Sequence, residues 1–211
     1  MNNKENWTTW YTSDIHFGHE NVIGFCDRPF IDKEEMKEKI IENWNKLVNP
    51  GDLCIFVGDI FFYHTAEEMK NTLSRMNGRK VLVKGNHDLT PRKMMNAGFE
   101  ICVEEMVMTI SGERVIISHY PFKMDKKLMF YLKIKSFFKK MIGLRALKFE
   151  KYHDRRPEDK GQFLIHGHTH SKEKSKDRMI HVGMDAWEYK PVNIQEISNL
   201  INQIKAQETR Q

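Results

Sequence analysis

The chain has 211 residues, 40% hydrophobic and 30% charged, which excludes a largely disordered, collagen-like or coiled-coil protein and fits one domain around one core. No apolar stretch reaches the roughly 18 residues of a membrane span and no signal-like segment precedes the first strand, so a cytoplasmic location is the expectation. The net charge of +5 is local: residues 123–151 hold ten Lys or Arg and two acids, which leaves the remainder at −3. Cys26, Cys54 and Cys102 lack paired spacing and read as buried thiols of a reducing compartment.

Trp7 to Asp14 is aromatic and Thr-rich and reads as a strand, followed by a loop through Arg28-Pro29-Phe30. Asp32, with Glu35 three residues on, caps a helix whose apolar face is Met36, Ile40, Ile41, Trp44, Leu47 and Val48. Leu53 to Val57 is a continuous apolar run, the pattern of a strand buried on both faces, and stops at Gly58-Asp59. Thr65 with Glu68 opens a second capped helix, and Lys80 to Lys84 forms a strand ending in Gly85-Asn86-His87-Asp88. Thr90-Pro91 starts a short helix. The runs Ile101 to Ile110 and Arg114 to Ser118 flank Ser111-Gly112-Glu113 as a hairpin, whose second strand finishes at His119. Strands at Phe163 to Ile165 and Met179 to Val182 follow, and Asn193 with Glu196 caps a last helix. The order of elements indicates a layered α/β sandwich with mixed sheets.

Five strand ends finish in metal-ligating residue types: Asp14 and His16, Asp59, Asn86 and His87, His119, and His168 and His170. Ligands of α/β sheets gather at the carboxyl ends of strands, and glycines beside the ligands (Gly58, Gly85, Gly167) allow close backbone approach. Residues two apart on an extended chain face the same way, so Asp14 with His16, and His168 with His170, address shared sites. Oxygen donors mixed with imidazoles, without cysteine, suit a divalent ion such as manganese, iron or zinc.

The series Asp14-x-His16, Gly58-Asp59, Gly85-Asn86-His87-Asp88, His119 and Gly167-His168-Thr169-His170 resembles the calcineurin-like metallophosphoesterase superfamily. Phe17-Gly18-His19, Arg28-Pro29-Phe30, Asn43-Trp44-Asn45 and Val182 to Trp187 add a likeness to its small bacterial and phage members. The resemblance implies a four-layer α/β sandwich of two mixed β-sheets flanked by helices. It also implies a binuclear centre: Asp14, His16, Asp59 and His170 at one divalent ion, Asp59, Asn86, His119 and His168 at the second, with Asp59 as the bridge. Manganese is the first expectation for both ions, with iron, zinc, nickel or magnesium as alternatives. Such a pair activates a bridging hydroxide for in-line attack on phosphorus. The resemblance further implies that His87 faces the leaving-group oxygen and that Asp88 orients its imidazole. His19, Arg28 and Lys123 are candidate substrate contacts. Protein Ser/Thr phosphatases of the superfamily carry Asp-Arg-Gly after the Gly-Asp, and this chain reads Gly58-Asp59-Ile60-Phe61, which disfavours a phosphoprotein substrate.

Residues 123–160 stand between His119 and His168 as an insertion. Ile134, Phe137, Phe138, Met141 and Ile142 follow helical spacing among Lys133, Lys135, Lys139 and Lys140, the pattern of a basic amphipathic helix. Three readings stand: a solvated face packed on the domain, a lid for a nucleotide or nucleic acid, and a helix on an anionic membrane surface. The expected activity is that of a phosphodiesterase or phosphatase on a nucleotide or other small phosphoester. The alternatives are a membrane-surface pyrophosphate hydrolase resembling UDP-diacylglucosamine hydrolases, and a non-catalytic metal-binding scaffold. A scaffold tolerates losses among Asp14, His87 and His119, and none is missing.

Overall fold

The computed structural model describes residues 7–63, 65–124, 129–131, 134–135 and 152–210. The chain divides into two compact units, one of Met1–Pro121 with Gly161–Gln211 and one of Phe122–Lys160.

The larger unit holds two five-stranded mixed sheets. In the first, the order is β10(Val192–Asn193), β1(Thr9–Thr12), β2(Leu53–Phe56), β3(Arg79–Val83), β4(Ile101–Val103). β1 to β4 run parallel and β10 is antiparallel to β1. In the second, the order is β5(Met106–Ile110), β6(Glu113–Ile117), β7(Phe163–His166), β9(Met179–His181), β8(Ser175–Lys176). β6, β7 and β9 are parallel, between antiparallel edges.

Alternation along the strands divides the core. Cys54, Phe56 and Leu82 pack with Met36, Ile40, Ile41 and Trp44 of α2(Lys33–Leu47), Met69 and Leu73 of α3(Ala66–Ser74) and Met94 of α4(Pro91–Ala97). Tyr11, Ile55, Val57 and Val83 point the other way and meet Val115, Ile117, Phe163, Ile165 and Ile180 of the second sheet, joined by Ile197 and Ile201 of α5(Ile194–Glu208). The fold is thus two mixed sheets with flanking helices, the α/β class expected from the sequence.

The helix caps follow their residue types. Asp32 accepts from the amides of Glu34 and Glu35, and Thr65 and Glu68 close a full capping box. The β5–β6 turn has Ser111 at φ 52° and Gly112 at φ 77°, the two positive dihedrals of a tight hairpin turn.

Three expectations need correction. Ile101 to Ile110 is two strands in different sheets, because the exposed pair Glu104-Glu105 interrupts the apolar run and the chain crosses between sheets there. The loop after Phe17 contains a short helix, α1(Glu20–Phe25), which buries only Val22 and so leaves no periodic signature. Of the cysteines only Cys54 is fully buried; Cys26 and Cys102 are half-buried.

In the smaller unit, residues 129–131 and 134–135 are helical, and most of the expected basic helix, including Lys133, Phe137, Phe138 and Lys139, lies outside the described residues. Lys123 pairs with Glu158 at 3.3 Å, and its amide donates to the Pro157 carbonyl. Among the described residues no helix is long and apolar enough to cross a membrane.

Candidate metal centre

β1, β2 and β3 lie side by side and are followed, within about three residues, by Asp14, Asp59 and Asn86; β6 and β7 are neighbours and are followed in the same way by His119 and His168. Every ligand loop therefore leaves the same edge of the sandwich. Five of these residues adopt the left-handed region: Asp14 (φ 56°), His16 (57°), Asp59 (57°), His168 (70°) and His170 (50°). Each costs about 1–3 kcal/mol of backbone strain, and such residues concentrate at functional sites.

The strain is held by hydrogen bonds that cross between strand ends. The Asp14 amide donates to Gly58 O at 3.0 Å, the His16 amide to Asp59 O at 3.1 Å, and the Gly167 amide to His119 O at 3.1 Å. Asp14 Oδ2 accepts from the His168 amide (2.9 Å) and the Ser13 hydroxyl (2.8 Å). Gly167 is required here: a Cβ on it would lie 2.5 Å from Asp14 Oδ2 and closer still to Ser13 Oγ.

Among the described residues three groups of possible ligand atoms converge, each with members within 4.8 Å of one another: Asp14, His16 and His170; Asp59, His119 and His168; and Cys26, His170 and Asp185, which shares His170 with the first. Asp59 Oδ2 stands between the first two, 3.9 Å from His16 Nε2 and 3.3 Å from His119 Nε2. Asn86 Oδ1 is 3.2 Å from His119 Nε2, and His168 Nδ1 lies 3.2 Å from the same nitrogen. All seven residues expected as ligands are thus brought together.

The imidazoles are oriented by outer partners. His119 Nδ1 is 2.9 Å from Val57 O, which accepts from it and leaves Nε2 facing the cluster. His170 Nδ1 is 2.9 Å from Asp185 Oδ2 and 3.3 Å from Cys26 Sγ, and His170 Nε2 faces Asp14 Oδ1 at 3.9 Å. Outer partners of this kind fix the tautomer and ring orientation of histidines that bind metals.

The protonation pattern fits a cation site. Burial pulls His16 down to about 3, and both of its ring nitrogens are buried without a hydrogen bond. Burial also opposes charge on His119 and His170, but Asp59 lifts His119 to about 9, and Asp185, with Cys26 and Asp14, lifts His170 to about 10. Burial raises Asp14; it also opposes ionisation of Asp59, but the hydrogen bond and charge of His119 more than offset this and lower it. A neutral, unsatisfied imidazole facing carboxylates is costly alone and satisfied by a divalent ion, and the Asp, Asn and His donor set suits a hard or borderline one.

The remaining expected residues separate. His87 is exposed; its amide donates to Asp59 Oδ1 (2.8 Å) and its ring lies 5.5 Å from that of His16. His19 stacks on Phe62 at 4.1 Å, with its ring 5.7 Å from His16. Asp88 does not orient the His87 imidazole as expected, because its two oxygens accept the amides of Asp59, Ile60 and Gly85 and tie the β2 and β3 loops together. Arg28 is buried rather than available to substrate: it forms a bidentate pair with Asp185 (2.8 and 2.9 Å) and donates to Ile15 O and Asp14 O. Asp185 is the residue the sequence reading missed. Its segment, Val182 to Trp187, carries a family likeness, but a lone Asp 157 residues from its arginine carries no local signal.

Comparison with known proteins agrees with this geometry. Residues 10–184 match the Calcineurin-like phosphoesterase superfamily domain. The chain is 28% identical to the uncharacterized protein MJ1445 of Methanocaldococcus jannaschii over 93% of both chains. It is 29% identical to the Gene 66 protein of Mycobacterium phage L5, over 95% of this chain and 97% of the phage protein. A crystal structure of AQ665 from Aquifex aeolicus, a protein of unknown function, shares the fold with a TM-score of 0.64 and 22% identity, over 92% of this chain and all of the other. With the ligand series intact and the match spanning most of its length, the chain belongs to the calcineurin-like phosphoesterase superfamily.

Proposed function

We propose that the protein is a phosphoester hydrolase working with two divalent ions, one held by Asp14, His16 and His170, the other by Asn86, His119 and His168, with Asp59 shared. The observation that carries this reading is the position of Asp59 Oδ2 between His16 Nε2 and His119 Nε2, one carboxylate facing one imidazole of each group. When bound, the ions supply an acidified water and positive charge toward the phosphoryl oxygens. Manganese is the first choice for both.

The chain's own residues do the rest. Asp185 and Val57 O fix the tautomers of His170 and His119 so that each presents Nε2. Asp88 keeps the loops carrying Asp59 and Asn86 in register. In hydrolysis, water oxygen adds to phosphorus, the P–O bond to the leaving group breaks, and the departing oxygen takes up a proton. We assign that proton to His87, the exposed imidazole next to Asn86. The substrate is a small phosphoester, a diester in first place; no observation favours the lipid-surface alternative, since its helix lies mostly outside the described residues.

The test is hydrolysis of a methyl aryl phosphodiester beside the aryl monoester by chelator-stripped protein refilled with manganese. Turnover is expected to need manganese, and Asp59→Asn is expected to lose both metal and turnover. His87→Ala is expected to keep two ions while turnover falls about 10²–10⁴-fold. Equal metal loss in both variants would make His87 a ligand, and two bound ions without turnover of either ester would favour the scaffold reading.

A further inference from the structure

Beside His87 lies a recess of about 240 Å³, lined mainly by Phe61, Phe62, Tyr63, Met69, Leu89 and Met94, with His87 and Asp88 on the side of the metal residues. It is made by the same two loops as the site together with α3 and α4: Phe61 and Phe62 follow Asp59, Leu89 follows His87, and Met69 and Met94 come from the helices. The Asp88 carboxylate, bonded to the amides of Asp59, Ile60 and Gly85, locks those loops together. Phe61, Met69 and Met94 are buried and form a fixed floor. Phe62 is 39% exposed at the rim, stacked on His19 and 5.5 Å from the His87 ring.

We propose that this recess is the leaving-group subsite and that it takes a planar aromatic ring attached through the ester oxygen. The proposal rests on the hydrolase reading above, in which His87 faces the departing oxygen. Three features select the ligand class. A dry cavity of roughly 150 Å³ already accepts benzene, so this one has room for a two-ring system. Phe62, Tyr63 and Leu89 present accessible aromatic and aliphatic surface over the buried floor, which favours a flat π-surface. The Asp88 oxygens are taken by backbone amides, so recognition rests on apolar contact.

The test compares methyl 2-naphthyl phosphate with methyl phenyl phosphate, whose leaving groups are of similar acidity, on the manganese-loaded protein. The second ring adds more apolar surface than the one methylene that discriminates roughly 10–200-fold in a hydrophobic pocket, so kcat/KM should favour the naphthyl ester at least about tenfold. In Leu89→Trp, where the indole fills the recess, the ratio should fall to about one. A wild-type ratio near one overturns the proposal.

A readout independent of turnover is the methyl NMR signal of ¹³C-labelled methionine in the metal-free wild-type protein titrated with 2-naphthol. Met69 and Met94, assigned through Met→Leu variants, should shift while methionines elsewhere do not. Shifts without hydrolysis of any ester would keep the subsite and sink the hydrolase reading. Hydrolysis without shifts or preference would do the reverse, and the absence of both would remove both.

Discussion

Asp185→Asn tests whether the buried chain Arg28–Asp185–His170 sets the metal centre. Asp185 accepts three hydrogen bonds: Arg28 Nε at 2.8 Å on Oδ1, and Arg28 Nη2 and His170 Nδ1, both at 2.9 Å, on Oδ2. Asparagine has one acceptor oxygen. With its NH₂ toward Oδ2 it opposes two N–H groups; with its NH₂ toward Oδ1 it opposes only Arg28 Nε and keeps His170. The second orientation is therefore favoured, so His170 retains its tautomer but loses the carboxylate charge. Loss of such an outer partner costs about 10–100-fold in metal affinity, and the retained hydrogen bond puts the expectation at about tenfold, about 1.4 kcal/mol. The larger effect falls on Arg28, whose side chain is fully buried and loses its counterion. Breaking a buried pair costs about 3–5 kcal/mol, and 3 kcal/mol lowers Tm by roughly 6–12 °C in a protein of this size. Calorimetric titration with manganese gives the first number and thermal unfolding of stripped protein gives the second. A metal Kd within threefold of wild type together with an unchanged Tm would refute the reasoning.

Gly167→Ala is expected to abolish metal binding or soluble expression, since the added carbon meets Ser13 Oγ, itself held at 2.7 Å from Val57 O; Gly24→Ala in α1, with nothing within 4 Å, is the neutral control, read by Tm. Stripped protein is expected to lose stability as pH rises. The folded values of His119, about 9, and His170, about 10, lie above the unfolded value of about 6.5. Their contribution is therefore complete below pH about 6.5 and lost through pH 9–10. Urea unfolding at pH 6 and pH 10 checks this, and manganese loading at pH 7 should release about two protons. Equal stability at both pH values would count against protonated imidazoles in the metal-free state.

The candidate ligands were legible in the sequence because chemistry restricts such residues to few types and the fold puts them near strand ends, where a glycine and a polar residue break an apolar run. Gly58-Asp59 after Leu53 to Val57 is such a break. Asp and His also tolerate the left-handed conformation that five of the ligands adopt. Their supports were not legible. Arg28 read as a substrate contact because a loop arginine looks exposed, and only the fold brings Asp185 to it. The resemblance implied Asp88 as a partner of His87, whereas its carboxylate turns back to three backbone amides. The recess beside His87 draws on α3 and α4 as well as the loops, so no single stretch announces it.

The same geometry explains why the fold and the site are hard to separate. Asp14, at the end of the first sheet, accepts the amide of His168 from the second, and His119, from the second, reaches Val57 O in the first. The residues that would hold the ions thus also join the two sheets. His16 is buried with both ring nitrogens lacking a hydrogen bond, a cost that an ion held through one of them would reduce. Binding of ions there would therefore be coupled to sheet association, each stabilising the other, and the strained dihedrals of the loops are held by contacts that exist only when both sheets are in place. A ligand substitution then lowers stability as well as metal affinity. Changes outside the ligand set, at His87 and at Leu89 of the recess, are the ones that separate the chemistry from the fold.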